Sequence, residues 1–213
     1  MESRVESREK SVEIQNIMTS IQEISVSETL NSQLFKMRID FNPEIHGFQF
    51  SNHYIEWAFG PISGKMLCGG MIYAALDYFI SKTPIPRLKK VPAIGNPVNN
   101  YIYQRQWTAH KNTAYKFTKY WLKKGSHEEF EKLKDFLKLG KAIPICFYNG
   151  FGKGHHTLGI AAENGREISF EVYDPNFPNL ISHIKAEGNG YRHSLSPTLW
   201  KGFFIAIPSP KDI

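Results

Sequence analysis

Apolar residues recur at helical spacing in four stretches of the chain, and at strand spacing over its last third. Ile14, Ile17, Ile21 and Ile24 keep a helical period from Glu13 onward, which predicts a short amphipathic helix behind a tip rich in Ser and Glu. Met71, Ala74, Ala75 and Phe79 repeat the pattern within "LCGGMIYAALDYF" at 67–79, after a Gly60 to Gly64 segment that reads as loop. The intervening stretch 33–60 is rich in aromatics, among them Phe41, Phe48, Phe50, Tyr54, Trp57 and Phe59. Pro84, Pro86, Pro92 and Pro97 predict a connection with little regular structure over 82–100, followed by a helix at about 109–123. Another helix opens at Ser126. Ser126 and Glu129 are spaced as a capping box, Phe130, Leu133, Phe136 and Leu137 supply a buried stripe, and Gly140 marks the stop.

Beyond Gly140 the period changes. Residues 142–148 form an apolar run, 155–163 and 166–173 read as strands joined by Asn164-Gly165, and 202–207 is a late apolar strand. Helices first and strands afterwards predict an α+β domain, a helical half packed on an antiparallel sheet with a cleft where the two meet. A two-residue turn at Asn164-Gly165 pairs Glu163 with Arg166, sets His155 directly opposite Asp174, and turns His156 the other way, toward Tyr173. Directly opposed Cβ atoms lie roughly 4.5–5.5 Å apart, within reach of an imidazole-to-carboxylate hydrogen bond. On the His155 face, the small Thr157, Gly159 and Ala161 leave room for the Cys68 helix to pack close.

Composition narrows the class. A chain of 213 residues, 41% hydrophobic, suits a single domain at 33–213 preceded by an N-terminal arm at 1–32, partly helical or disordered. Cys68 and Cys146 make no disulfide framework, and no apolar run of signal-peptide or membrane-spanning length occurs, so a cytoplasmic setting is expected. The net charge of +6 includes Lys116, Lys119, Lys123, Lys124, Lys132 and Lys134, which fall on helical surfaces near Glu128, Glu129 and Glu131; no specific nucleic-acid partner is expected.

The candidate chemistry gathers at Cys68. A cysteine at the mouth of a helix meets unpaired N–H groups and the positive end of the helix dipole, both of which favour thiolate over thiol. Gly69 and Gly70 directly after it suggest a close approach to the backbone in the first turn. A metal is not expected: there is no CxxC or HExxH, and the side chains of the adjacent His155 and His156 diverge on a strand. No other cofactor is indicated.

The stretches "GKMLCGGMIYAALDYF" at 64–79, "HHTLGIAAE" at 155–163 and "VYDPNFP" at 172–178 together resemble the papain-like cysteine peptidases. They are most similar to bacterial proteins of the bacteriocin-processing, double-glycine peptidase type and their uncharacterised relatives. The resemblance implies a papain-like fold with Cys68 as nucleophile, His155 as general base and acid, and Asp174 orienting the imidazole. His156 is the alternative base, taking the role if the hairpin register shifts by one residue. In one respect the chain departs from the pattern: no Gln or Asn lies between Trp57 and Cys68 to help hold an oxyanion, which leaves the Cys68 N–H with Asn52 or Gln49 as candidate donors. The implied function is a cysteine hydrolase acting on a peptide or amide bond through a thioester, with a peptide or protein as substrate. A non-catalytic papain-like module that binds a peptide or partner protein is a second reading, and deamidation of a protein glutamine, or transfer of its acyl group to another acceptor, is a third.

Overall fold

The computed structural model describes residues 36–59, 62–122, 126–150, 153–163, 167–211 and 213. The N-terminal arm and its expected helix lie outside the described residues, and Met37–Ile213 forms one compact unit. In chain order the elements are β1 (Lys36–Arg38), α1 (Pro43–His46), a 3-10 turn at Asn52–Tyr54, a hairpin of β2 (Glu56–Phe59) and β3 (Ile62–Lys65), and the helices α2 (Cys68–Ile80), α3 (Pro97–Leu122) and α4 (Ser126–Lys138). Then come β4 (Ile143–Tyr148), β5 (Gly154–Glu163), β6 (Ser169–Tyr173), β7 (Ile181–Glu187), β8 (Gly190–His193), β9 (Leu199–Trp200) and β10 (Gly202–Ile205). The sheet runs β10-β4-β5-β6-β7-β8-β9, with every neighbouring pair antiparallel, and β1 joins β5. The class is α+β.

Helices cover both faces of this sheet. Strand alternation puts Phe147, Ile145 and Ile143 on the same face as their partners His155, Thr157 and Gly159. Gly159 faces α4, for a Cβ there would stand 2.7 Å from Leu133 Cδ1, so the small residues of this face admit α4 and not the Cys68 helix as expected. On the opposite face Cys146, Tyr148 and Phe204 cluster with Tyr120 of α3. The main core joins Phe41, Phe48 and Phe50 to α2, so these aromatics of the 41–59 stretch are packing residues.

Three helix boundaries have local causes. α3 starts twelve residues earlier than expected because Asn96-Pro97 is a start signal and not a break: Asn96 Oδ1 accepts the Val98 N–H at 2.9 Å, and proline occupies the first turn, where its missing N–H costs nothing. α4 ends as expected, with Gly140 at φ 68° and the Lys141 N–H reaching back to Phe136 O. Its opening differs from the expected capping box. Ser126 Oγ and Glu129 Oε2 accept the Phe203 and Ile205 N–H groups of edge strand β10, at 3.2 and 2.7 Å, so this pair closes a sheet edge that would otherwise offer free donors.

The expected hairpin register is also corrected. Residues 164–166, with the expected turn and the Glu163–Arg166 pair, lie outside the described residues, but Ala162 pairs with Phe170 where a two-residue turn requires Glu167. That is a shift of three. A bulge between Gly159 and Ala161 takes back one residue, so Leu158 meets Tyr173 where Glu171 was expected, a net shift of two. Because strand faces repeat every second residue, an even shift keeps His155 and Asp174 on one face although they are no longer directly opposed.

Candidate active site

Cys68 opens α2 half-buried, after Met66 in a left-handed conformation (φ 68°) and Leu67, whose N–H is held by Asn52 Oδ1 at 2.6 Å. No side chain caps the helix from Leu67. Instead Gln106 of α3 supplies Oε1 to the Gly70 N–H at 2.7 Å. The N–H groups of Cys68 and Gly69, in the first turn, have no intrahelical acceptor.

The reason for the two glycines is the packing of α3. A Cβ on Gly70 would stand 2.1 Å from Ile102 O, and one on Gly69 would stand 2.7 Å from Ala109 Cβ and 3.3 Å from His156 Nδ1. The close approach expected from the sequence is therefore that of the neighbouring helix and of His156.

Two buried histidines stand at the start of β5 beside the cysteine helix. His156 pairs with Cys146 across the β4–β5 ladder, not with Tyr173, and its Nδ1 stands 3.9 Å from Cys68 Sγ. His155, on the other face, places Nε2 2.8 Å from Asp174 Oδ1, and its charge is coupled to that of Cys68. The direct contact with the sulfur is thus made by the alternative base, His156. Only His155 holds a carboxylate.

Asp174 is buried and fully engaged. Its Oδ1 accepts from His155 and from the Asn176 N–H at 2.8 Å, and Oδ2 lies 2.9 Å from His193 Nε2. Asn176 extends the network by accepting at Oδ1 from Asn52 Nδ2 at 2.9 Å. Asn52 thus ties the segment before Cys68 to the loop that carries Asp174. Gln49, the other oxyanion candidate, gives its amide to Glu44 O and Gly47 O, both at 3.1 Å. Trp200 stacks on His155 at 6.0 Å between ring centroids and 12° between planes, covering the imidazole.

Charge follows from this geometry. Burial pushes the Cys68 thiol up, but hydrogen bonds and charge from His155 and His156 outweigh it and hold the thiol well below its ordinary value. Burial pulls His155 down; the Asp174 carboxylate and then Cys68 reverse this and hold the imidazole well above its ordinary value. For His156 burial is again opposed, first by Cys146 and then by Cys68, and the net direction is up. Burial would raise the Asp174 carboxyl, yet His155, His193 and the Asn176 N–H keep it well below the usual carboxylate range. The arrangement favours a thiolate at Cys68 and an imidazolium at His155, with the Asp174 carboxylate behind it.

Asn176, Gln106, Trp200 and His193 are site residues that sequence reasoning did not single out. Asn176 lies inside the "YDPN" stretch and Gln106 just ahead of a helix expected to begin at 109; Trp200 and His193 sit on strands too short to show a period. Among the described residues no cluster of His, Cys, Asp and Glu is arranged to hold a metal ion. No family model matches this chain, and no curated protein or solved structure matches it either.

Proposed function

We propose that this protein is a cysteine hydrolase of papain-like design, cleaving a peptide or amide bond in a peptide or protein through Cys68, His155 and Asp174. The observation that carries the reading is the buried His155 imidazole, bonded through Nε2 to the buried Asp174 at 2.8 Å, with its charge coupled to the helix-terminal Cys68. Cys68 Sγ attacks the carbonyl carbon, and the carbonyl oxygen takes up negative charge against the N–H groups of Cys68 and Gly69. These backbone donors replace the side-chain donor sought in Asn52 or Gln49, whose amide groups are engaged elsewhere. His155 gives its proton to the leaving nitrogen as the C–N bond breaks, leaving a thioester. Water then loses a proton to His155, adds to the thioester and expels the Cys68 thiolate.

His156 adds positive charge near the sulfur without a carboxylate of its own, so its role is to favour the thiolate rather than to carry the proton. Two free cysteines suit the reducing, cytoplasmic setting that belongs to this proposal, and among the described residues no helix is long and apolar enough to cross a membrane.

Mass spectrometry of wild type and Cys68→Ala incubated with a peptide library tests the reaction. We expect cleaved peptides and a Cys68 thioester in wild type alone. An intact substrate heavier by about one dalton would assign glutamine deamidation to the same site. Peptide binding that survives Cys68→Ala, with no product from either protein, would contradict a catalytic role.

A further inference from the structure

We infer that His193 is a positioning residue of this site, a second buried imidazole that fixes the Asp174 carboxylate in the orientation His155 requires. The inference rests on the proposed Cys68 chemistry and adds a member to its charge chain.

His193 ends β8 on the same sheet face as Asp174. It pairs with Ile184, Ile184 pairs with Phe170, and alternation carries that face along β6 from Phe170 through Val172 to Asp174. Its side chain is buried, with the Phe177 ring 5.6 Å away. The Leu195 N–H donates to His193 Nδ1 at 3.2 Å, so Nδ1 is an acceptor and the proton of the neutral ring sits on Nε2. Nε2 lies 2.9 Å from Asp174 Oδ2, a close contact although the ring N–H is not aligned along it, so a small turn of either group completes the bond. Backbone geometry therefore selects the tautomer that can donate to Asp174.

The consequence concerns a carboxylate with two inequivalent oxygens. Oδ1 receives His155 and the Asn176 N–H, both from one side. Without a donor on Oδ2 the carboxylate is free to turn about its Cβ–Cγ bond, and its buried charge loses a partner. The titratable groups facing Asp174 are His155 from β5 and His193 from β8, and behind His155 stands Cys68 at the start of α2. Loss of His193 therefore reaches the thiolate through Asp174 and His155.

The test compares wild type, His193→Asn and His193→Gln in the rate of iodoacetamide alkylation of Cys68 across pH, with the thermal midpoint as a check on folding. Asparagine carries an oxygen that accepts the Leu195 N–H but is too short to reach Asp174. Glutamine carries an amide N–H to the position of Nε2. We expect His193→Asn to move the acid limb of the profile up by about one to two pH units, the worth of one hydrogen bond to a charged group. His193→Gln should restore most of the shift. An acid limb unchanged in His193→Asn, or moved equally in both variants, overturns the inference. If His193→Asn does not fold, imidazole nitrogen NMR of the wild type decides: a proton on His193 Nε2 is required, and one on Nδ1 contradicts the role. His155→Ala separates this inference from the one beneath it. Rapid alkylation that His155→Ala abolishes and His193→Asn leaves untouched removes His193 alone, whereas slow alkylation in wild type and His155→Ala alike removes both.

Discussion

Among the described residues two aspartates are buried with almost no exposure, and their partners differ in kind. Asp77 in α2 pairs with Arg105 Nε at 2.6 Å and accepts from Tyr101 Oη at 2.8 Å and the Lys211 N–H at 3.0 Å. Arg105 also donates to Ser209 O, so the cluster locks α2, α3 and the C-terminal tail together. Asp174 instead meets two imidazoles, one of which leads to a half-buried thiol. A guanidinium keeps its charge at every accessible pH, and a carboxylate held by one serves architecture. An imidazole can gain and lose a proton, and a carboxylate held by one can assist a reaction. The kind of partner, not the depth of burial, separates the structural aspartate from the one proposed to function.

The largest expected effect falls on the functional side. His155→Ala should lower turnover by about 100- to 10,000-fold, the usual worth of a positioned acid–base group. A loss below tenfold in a kinetic assay of the folded variant would place the proton transfer elsewhere.

On the architectural side, Arg105→Met leaves Asp77 buried without its cation. Breaking such a pair costs about 3–5 kcal/mol, a fall in thermal midpoint of roughly 6–20 °C for a chain of this size. The alkylation rate of Cys68 in the folded protein should not move. A change in that rate at unchanged stability would show that the two clusters are not independent.

The pH dependence of stability distinguishes the two aspartates by sign. The folded-state pKa of Asp174 is depressed, so its contribution is present above the unfolded value of about 4 and is lost as pH falls toward the folded value. The stability difference between wild type and Asp174→Asn should therefore be larger at pH 6 than at about pH 3 in denaturant titrations. Burial pushes the Asp77 carboxyl up, against donors from Lys211, Tyr101 and Arg105, so the corresponding difference for Asp77→Asn should shrink as pH rises above about 4. Equal slopes for the two variants would undo the contrast.

Gly70→Ala should give the smallest effect of this set, about 1–3 kcal/mol, because the added methyl meets Ile102 O and forces α2 and α3 apart. Chemical denaturation measures it. Neutral or stabilising behaviour would show that α3 does not require the glycine at position 70.

The functional cluster was more legible in the sequence than the architectural one. Cys68, His155 and Asp174 each lie at the end of an element with a strong pattern, and Asp174 stayed on the His155 face because the long β5–β6 connection and the bulge shift the register by an even number in total. A bulge leaves no mark in a run of apolar and small residues such as Gly159, Ile160 and Ala161, so the register itself could not be read. The Asp77–Arg105 pair joins residues 28 apart on two helices, one of them hidden behind Pro97, and no local period connects them. Strands β7 to β9 are short or polar on their exposed sides, which concealed both the far half of the sheet and His193.

The ionisation of Cys68 underlies both the proposed chemistry and the role of His193. Its measurement is the pH dependence of alkylation in wild type, His155→Ala and His156→Ala, with labelling of Cys68 followed by mass. We predict that wild-type Cys68 reacts as a thiolate well below the ordinary thiol range of about 8.5, that His155→Ala returns its profile toward that range, and that His156→Ala moves it by a smaller amount. A wild-type profile centred near an ordinary thiol, unchanged by His155→Ala, would contradict it.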